Sequence, residues 1–166
     1  MKIGVLSDTH GWLDPKIFEY FKDCHEVWHA GDIGEGVLPL FDRFSRFRAV
    51  YGNIDGQELR CKYPEFQTFK CQDMLVLMTH IGGVPPTYTS AVREKFKIKM
   101  PDILVCGHSH ILRVVRDPYH HSLWYLNPGA SGKYGGHHMR TLLRFEIAQR
   151  KIINMEVIEL GPRRVV

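Results

Sequence analysis

The sequence predicts an α/β fold organised around a parallel sheet. Three observations carry it. Short apolar runs alternate with amphipathic stretches through the first third of the chain. The second half is richer in strand-like runs and reads as an antiparallel portion. Five of the apolar runs end in acidic, amide or histidine side chains, the polar ends expected where an open α/β sheet binds its ligand.

Lys2–Ser7 is a short apolar run and reads as a buried strand. Asp14-Pro15 opens a helix, Asp14 as the cap and Pro15 at the first helical position, with Ile17, Phe18 and Phe21 as its apolar stripe. Glu26–Ala30 is a second strand, stopped by Gly31. Val37–Phe47 reads as helical, and Arg48–Tyr51 as a third strand stopped by Gly52. This strand–helix alternation is the βαβ pattern of a parallel sheet. Thr68–Cys71 and Met74–Thr79 bracket a turn at Gln72-Asp73. Tyr88–Lys99 reads as a helix with Val92, Phe96 and Ile98 facing inward, and Ile103–Cys106 as another buried strand. Leu112–Arg116, Leu123–Asn127, Thr141–Ile147 and Lys151–Leu160 are the strands of the antiparallel portion. The segment Asn127–His138 is Gly-rich and reads as a long surface loop.

Length and composition narrow the class. The 166 residues suit one domain over 1–166, and a 44% hydrophobic fraction excludes intrinsic disorder as the overall class. A net charge of +4 permits phosphate-bearing substrates but is too mild for a dedicated nucleic-acid binder. No apolar run approaches the about 18–20 residues that span a bilayer, so no membrane role is expected. Asp8 and His10 interrupt the first apolar run too early for a signal peptide. Cys24, Cys61, Cys71 and Cys106 have no CxxC spacing and read as reduced thiols, which suits a cytoplasmic protein.

The strand ends hold the chemistry. They carry Asp8-Thr9-His10, Gly31-Asp32, Gly52-Asn53, His80 and Gly107-His108-Ser109-His110. Ligands gather at the carboxyl ends of such strands, so these groups should converge. The set offers two carboxylates, one amide oxygen and four imidazoles: Asp8, Asp32, Asn53, His10, His80, His108 and His110. That exceeds one tetrahedral zinc and suits two divalent metals sharing a carboxylate. Oxygen and nitrogen donors without thiolate favour manganese, with iron, zinc or nickel as alternatives. Each motif alone has a structural reading: Asp-x-His as a cap, Gly-Asn-x-Asp as a turn, His80 as a satisfied core histidine. Their joint occurrence in order carries the inference. The other histidines take plainer readings. His25 and His29 are packing or surface groups, His120 and His121 sit in a turn, and His137 and His138 end the Gly-rich loop, either solvated or approaching the substrate. Trp12 lines either the site mouth or the core.

The ordered set Asp8-x-His10, Gly31-Asp32, Gly52-Asn53-Ile54-Asp55, Thr79-His80 and Gly107-His108-Ser109-His110 resembles the calcineurin-like metallophosphoesterase superfamily. The short chain and Asn127-Pro128-Gly129-Ala130 look like its small phosphodiesterase branch. The resemblance implies a four-layer αββα sandwich of two mixed β-sheets flanked by helices. It implies one metal on Asp8, His10, Asp32 and His110, and another on a bridging Asp32 with Asn53, His80 and His108. A hydroxide lying between the two ions would attack phosphorus in an in-line displacement. Asn53 and Asp55 are then the catalytic candidates and Asn127 a substrate contact, with Asp55 alternatively an orienting group for its loop. Many members carry a histidine after the asparagine, thought to assist the leaving group; this chain has Ile54.

The expected activity is a phosphodiesterase acting on a small phosphate ester. Two rivals stay open. One is a non-catalytic interaction scaffold similar to the retromer subunit, whose relatives have lost or altered key histidines. The other is a nuclease using Arg43, Arg46, Arg48, Arg93, Lys95, Lys97 and Lys99, although solvated helix faces explain these as well. Exposed β-edges make a homodimer plausible.

Overall fold

A computed structural model describes residues 1–120 and 123–164, so His121 lies outside the described residues. The described residues form twelve strands: β1 (Lys2–Leu6), β2 (Glu26–His29), β3 (Phe47–Ala49), β4 (Phe66–Cys71), β5 (Met74–Thr79), β6 (Gly83–Val84), β7 (Thr87–Tyr88), β8 (Ile103–Val105), β9 (Leu112–Arg116), β10 (Trp124–Pro128), β11 (Met139–Ala148) and β12 (Lys151–Pro162). The helices are α1 (Lys16–Tyr20), α2 (Gln57–Lys62) and α3 (Ser90–Ile98), with a 3-10 helix over Leu38–Arg43.

Two five-stranded mixed sheets form the body, in the orders β12-β11-β1-β2-β3 and β4-β5-β8-β10-β9. In the first, β1, β2 and β3 run parallel, and the long hairpin β11–β12 closes the edge of β1. In the second, β5, β8 and β10 run parallel, with β4 and β9 antiparallel at the edges. β10 therefore belongs equally to the parallel part, where the sequence suggested antiparallel pairing alone.

The alternation of side chains explains the four layers. Ile3 and Val5 of β1, Val76 and Met78 of β5, and Ile103 and Val105 of β8 share one cluster between the sheets. Leu6 packs on the outer side with Ile17, Phe21, Phe41 and Leu59. Leu77, Leu104 and Cys106 pack on the opposite outer side with Val92 and Phe96 of α3. A strand buried on both faces must be apolar at every position, which is why these runs show no polar alternation.

Three local expectations change. Val37–Phe47 forms only the short 3-10 helix, and the third strand starts at Phe47. Phe44 already has extended backbone and Phe47 belongs to β3, and the Phe41 and Phe47 rings stack at 4.4 Å. Ile98 is 80% exposed. Val92 and Phe96, four residues apart, share the buried face of α3, and Ile98 lies two residues further, on the opposite side. The Gly-rich segment is no solvated loop at its start: Ala130 and Ser131 are buried. The Ser131 amide and hydroxyl donate to Ser7 O, and the Gly132 amide donates to Asp8 O. α2 and the small β6–β7 hairpin went unread because they are too short to show a period.

Candidate metal centre

Each candidate ligand sits just past a strand of the parallel core. Asp8 and His10 follow β1, Asp32 follows β2, Asn53 follows β3, His80 follows β5, and His108 and His110 follow β8. The β1 and β2 loops are laced together: the Asp8 amide donates to Gly31 O and the His10 amide to Asp32 O, each at 3.0 Å.

The side chains converge as the sequence suggested. Asp8, His10 and His110 each offer one ligand atom within 4.8 Å of the others, and so do Asp8, Asp32 and His80. Asp8 is common to both groups. Asp32 Oδ2 lies 3.2 Å from His80 Nε2 and 3.7 Å from His10 Nε2, between a residue of each expected set. Asn53 Oδ1 lies 3.1 Å from His80 Nε2 and 2.9 Å from His108 Nδ1.

This donor set fits divalent cations. Asp8 Oδ1 is buried without a hydrogen-bond partner, while His110, His80 and His10 Nε2 atoms lie 3.2, 3.9 and 4.0 Å away. A buried carboxylate oxygen left without a proton donor is costly, and a cation satisfies it. The backbone also bends for the cluster. Asp8, His10, Asp32, His108 and His110 all have positive φ, between 48° and 67°. Non-glycine residues in the left-handed region cost of order 1 kcal/mol or more each and gather at functional sites. Two glycines keep the approach open. A Cβ at Gly52 would lie 2.0 Å from Asp32 Oδ1, and one at Gly31 2.7 Å from the His80 ring.

Electrostatics favour an ionised Asp32. Burial alone would raise its carboxyl, but bonds from His80 and the Ile54 amide outweigh burial and hold it below the ordinary carboxylate value. Burial would lower His80, but the Asp32 bond and the Asp8 and Asp32 charges raise it. The His80 ring is oriented by a 2.7 Å contact from Nδ1 to Ala30 O.

Two further sequence candidates are buried among backbone partners. Asp55 is buried, and its carboxylate accepts the amides of Ile33, Gly34 and Gly52 at 3.1, 2.8 and 2.7 Å. Both oxygens are taken, so it ties the Asp32 loop to the Asn53 loop. Asn127, the expected substrate contact, is fully buried: Nδ2 donates to Gly107 O and Ser109 Oγ, and Oδ1 accepts the Gly129 amide. It braces the turn that carries His108.

Other residues were missed or read too plainly. Arg60 of α2 donates to the carbonyls of Gly52, Asn53 and Asp55, clamping the Asn53 loop. His137 is buried, not solvated, and its Nδ1 lies 3.3 Å from His110 Nδ1. His29 is fully buried. Its Nδ1 accepts the Gly31 amide, and its Nε2 pairs with Thr9 Oγ1 at 2.9 Å. Burial lowers His29 from its ordinary 6.5 to about 3. The unfolded chain therefore takes up this proton first, so stability should fall as pH drops below about 6.5, by up to about 1.4 kcal/mol per unit. Denaturant titrations at descending pH should show a slope that weakens in His29→Gln; identical slopes would contradict it.

A depression of about 180 Å³ borders the centre, lined by Tyr51, Asn53, Arg60, Glu65, His80 and Ile81. A larger one of about 440 Å³, beside Gly34, Leu38 and Leu59, contains no candidate ligand. Four of the basic residues considered for a nuclease engage local partners: Arg46 and Arg48 pair with Glu26, Arg43 covers Phe18, and Lys97 pairs with Glu94. No helix among the described residues is long and apolar enough to cross a membrane.

Comparison with known proteins agrees with this geometry. The calcineurin-like phosphoesterase superfamily domain matches residues 1–150. A phosphodiesterase of Methanocaldococcus jannaschii is 30% identical over 129 residues, 66% of this chain and 74% of that protein. Among solved structures, a novel archaeal phosphodiesterase superimposes with a TM-score of 0.71 at 24% identity, covering 96% of this chain and 100% of that one. Wild-type Vps29 of Entamoeba histolytica complexed with zinc has a TM-score of 0.70 at 16% identity, covering 96% and 99%. At those identities the structures establish the αββα fold, and with the family match over most of its length the chain belongs to the calcineurin-like phosphoesterase superfamily.

Proposed function

We propose that this protein is a divalent-metal-dependent phosphodiesterase acting on small phosphate esters. The buried, partnerless Asp8 Oδ1 facing three imidazoles carries the reading. Asp8, His10, Asp32 and His110 would hold one cation; Asp32, Asn53, His80 and His108 would hold the other. Manganese suits this set, as do iron, zinc and nickel. Two such cations supply an activated water nucleophile and neutralise phosphate charge.

The chain's own residues set the rest. Asp8 and Asp32 contribute the anionic ligands, and Asn53 is held in place by Arg60. Asp55, with its oxygens taken by three amides, acts as a loop tie rather than a proton donor. Ile54 follows Asn53, is 47% exposed and has no proton to give. The protein therefore favours leaving groups that depart without strong protonation: aryl esters, or diesters of an acidic alcohol. The relationship to the Methanocaldococcus jannaschii phosphodiesterase supports the diester preference.

Metal-dependent turnover of bis-p-nitrophenyl phosphate against p-nitrophenyl phosphate tests this, with His108→Ala as control. The diester should react faster, and the control should be inactive. Ile54→His should raise monoesterase activity by roughly 10²-fold if a general acid is what is missing. Fast native turnover of unactivated alkyl monoesters would refute the leaving-group preference. A second reading, a protein-interaction scaffold, draws on exposed Ile54, Ile81 and Ile111, which directly follow Asn53, His80 and His110. A folded, metal-containing sample inactive with every divalent ion would favour it.

A further inference from the structure

We propose that His137 is a positioning residue that fixes the His110 ring with its bare Nε2 turned toward Asp8; this rests on the metal-centre reading above. The argument is one of proton placement. His137 Nε2 lies 3.0 Å from Gly132 O. A carbonyl only accepts, so Nε2 must carry the hydrogen. The neutral His137 ring then presents a lone pair at Nδ1, which lies 3.3 Å from His110 Nδ1. That contact is a hydrogen bond only when His110 donates from Nδ1. His110 Nε2 is left unprotonated, 3.2 Å from Asp8 Oδ1 and 3.3 Å from His10 Nε2.

The circuit closes on itself. Gly132, whose carbonyl holds His137, is anchored by its own amide to Asp8 O at 3.0 Å. Asp8 thus supports, through Gly132 and His137, the ring that faces its own carboxylate. The loop lies tight against that ring, since a Cβ at Gly135 would be 2.2 Å from His110 Nδ1. His80 shows the same device in simpler form, with the Ala30 carbonyl in place of a second imidazole. Metal-binding histidines commonly donate their distal N–H to such a partner, which sets the tautomer and raises ligand basicity.

Two variants and one direct observation test it. His137→Phe keeps a ring but loses both bonds, whereas His137→Gln keeps an acceptor and a donor on one amide. Titration with Mn²⁺ should show one of two bound equivalents weakened by about 10–100-fold in His137→Phe and restored to within severalfold in His137→Gln. The visible spectrum of the Co²⁺-loaded protein should change in the Phe variant and recover in the Gln variant. Native affinity and spectrum in His137→Phe would overturn the proposal, as would a Gln variant as weak as the Phe variant. In the metal-free native protein, ring ¹⁵N shifts, assigned by their loss in His110→Gln, should show Nδ1 of His110 protonated and Nε2 bare. The opposite tautomer would overturn the proposal even if His137→Phe did not fold. A native protein that bound no metal would instead overturn the metal-centre reading beneath it.

Discussion

Asp8→Asn is expected to lower metal-dependent phosphodiester turnover about a thousandfold or more while leaving the metal-free fold at least as stable as before. The two halves have one cause. Asp8 Oδ1 is buried without a partner, and its ligand atom lies within 4.8 Å of that of Asp32. Without a cation the site holds two neighbouring carboxylates, one oxygen of which is unsatisfied, at a cost of about 1–3 kcal/mol. The amide removes a charge and turns an N–H₂ toward the surrounding imidazoles, while its oxygen still accepts the His108 amide, now at 3.2 Å. The same change deletes the ligand common to both three-residue groups. Cation stabilisation of several kcal/mol in the transition state corresponds to about a thousandfold in rate. Turnover at saturating Mn²⁺ and melting with and without chelator check both halves. Activity within tenfold of native, or a metal-free melting point well below it, would count against this account of the site.

Asp14→Ala should destabilise the fold by about 3–5 kcal/mol, because it strands a buried guanidinium. The Arg140 side chain is 5% exposed and pairs with Asp14 at 2.7 Å. Its other hydrogen bonds among the described residues go to the neutral carbonyls of Pro162 and Leu160, and its face lies 4.9 Å from the Trp12 ring centre. Asp14 also accepts the Lys16 amide at 3.0 Å, so the start of α1 loosens as well. At about 2–4 °C per kcal/mol for a chain of this size, melting should fall by roughly 6–20 °C. Asp14→Ala with Arg140→Met should lose less than the two single changes added together, since neither charge then remains buried alone. Strict additivity would show that the pair is not coupled.

The centre was legible where its signals were local. Asp8-x-His10 and Gly107-His108-Ser109-His110 each occupy a few residues after an apolar run, and a strand end is visible in a window of that length. His137 was not legible. A histidine closing a Gly-rich stretch looks solvated until Ser131 and Gly132 are found bonded to Ser7 and Asp8. Asn127 and Asp55 were seen as polar and near the motifs, but their type could not show that backbone amides and carbonyls already occupy them. The reading of Val37–Phe47 as one helix could not show where the chain extends: the 3-10 turn ends at Arg43, Phe44 is already extended and Phe47 begins β3.

The chain by itself determined the alternation of strands and helices, the runs buried on both faces, and the identity and order of the donors at the strand ends. Periodicity and strand termination act over a few neighbouring residues, so they can be read without the fold. Only the tertiary structure decided that Asp8 is common to both ligand groups, that Asp14 closes on Arg140, and that His137 stands behind His110. Those pairings join residues 126 and 27 positions apart. Their protons, charges and distances are fixed by how loops from different strands pack, a relation no short stretch of sequence contains.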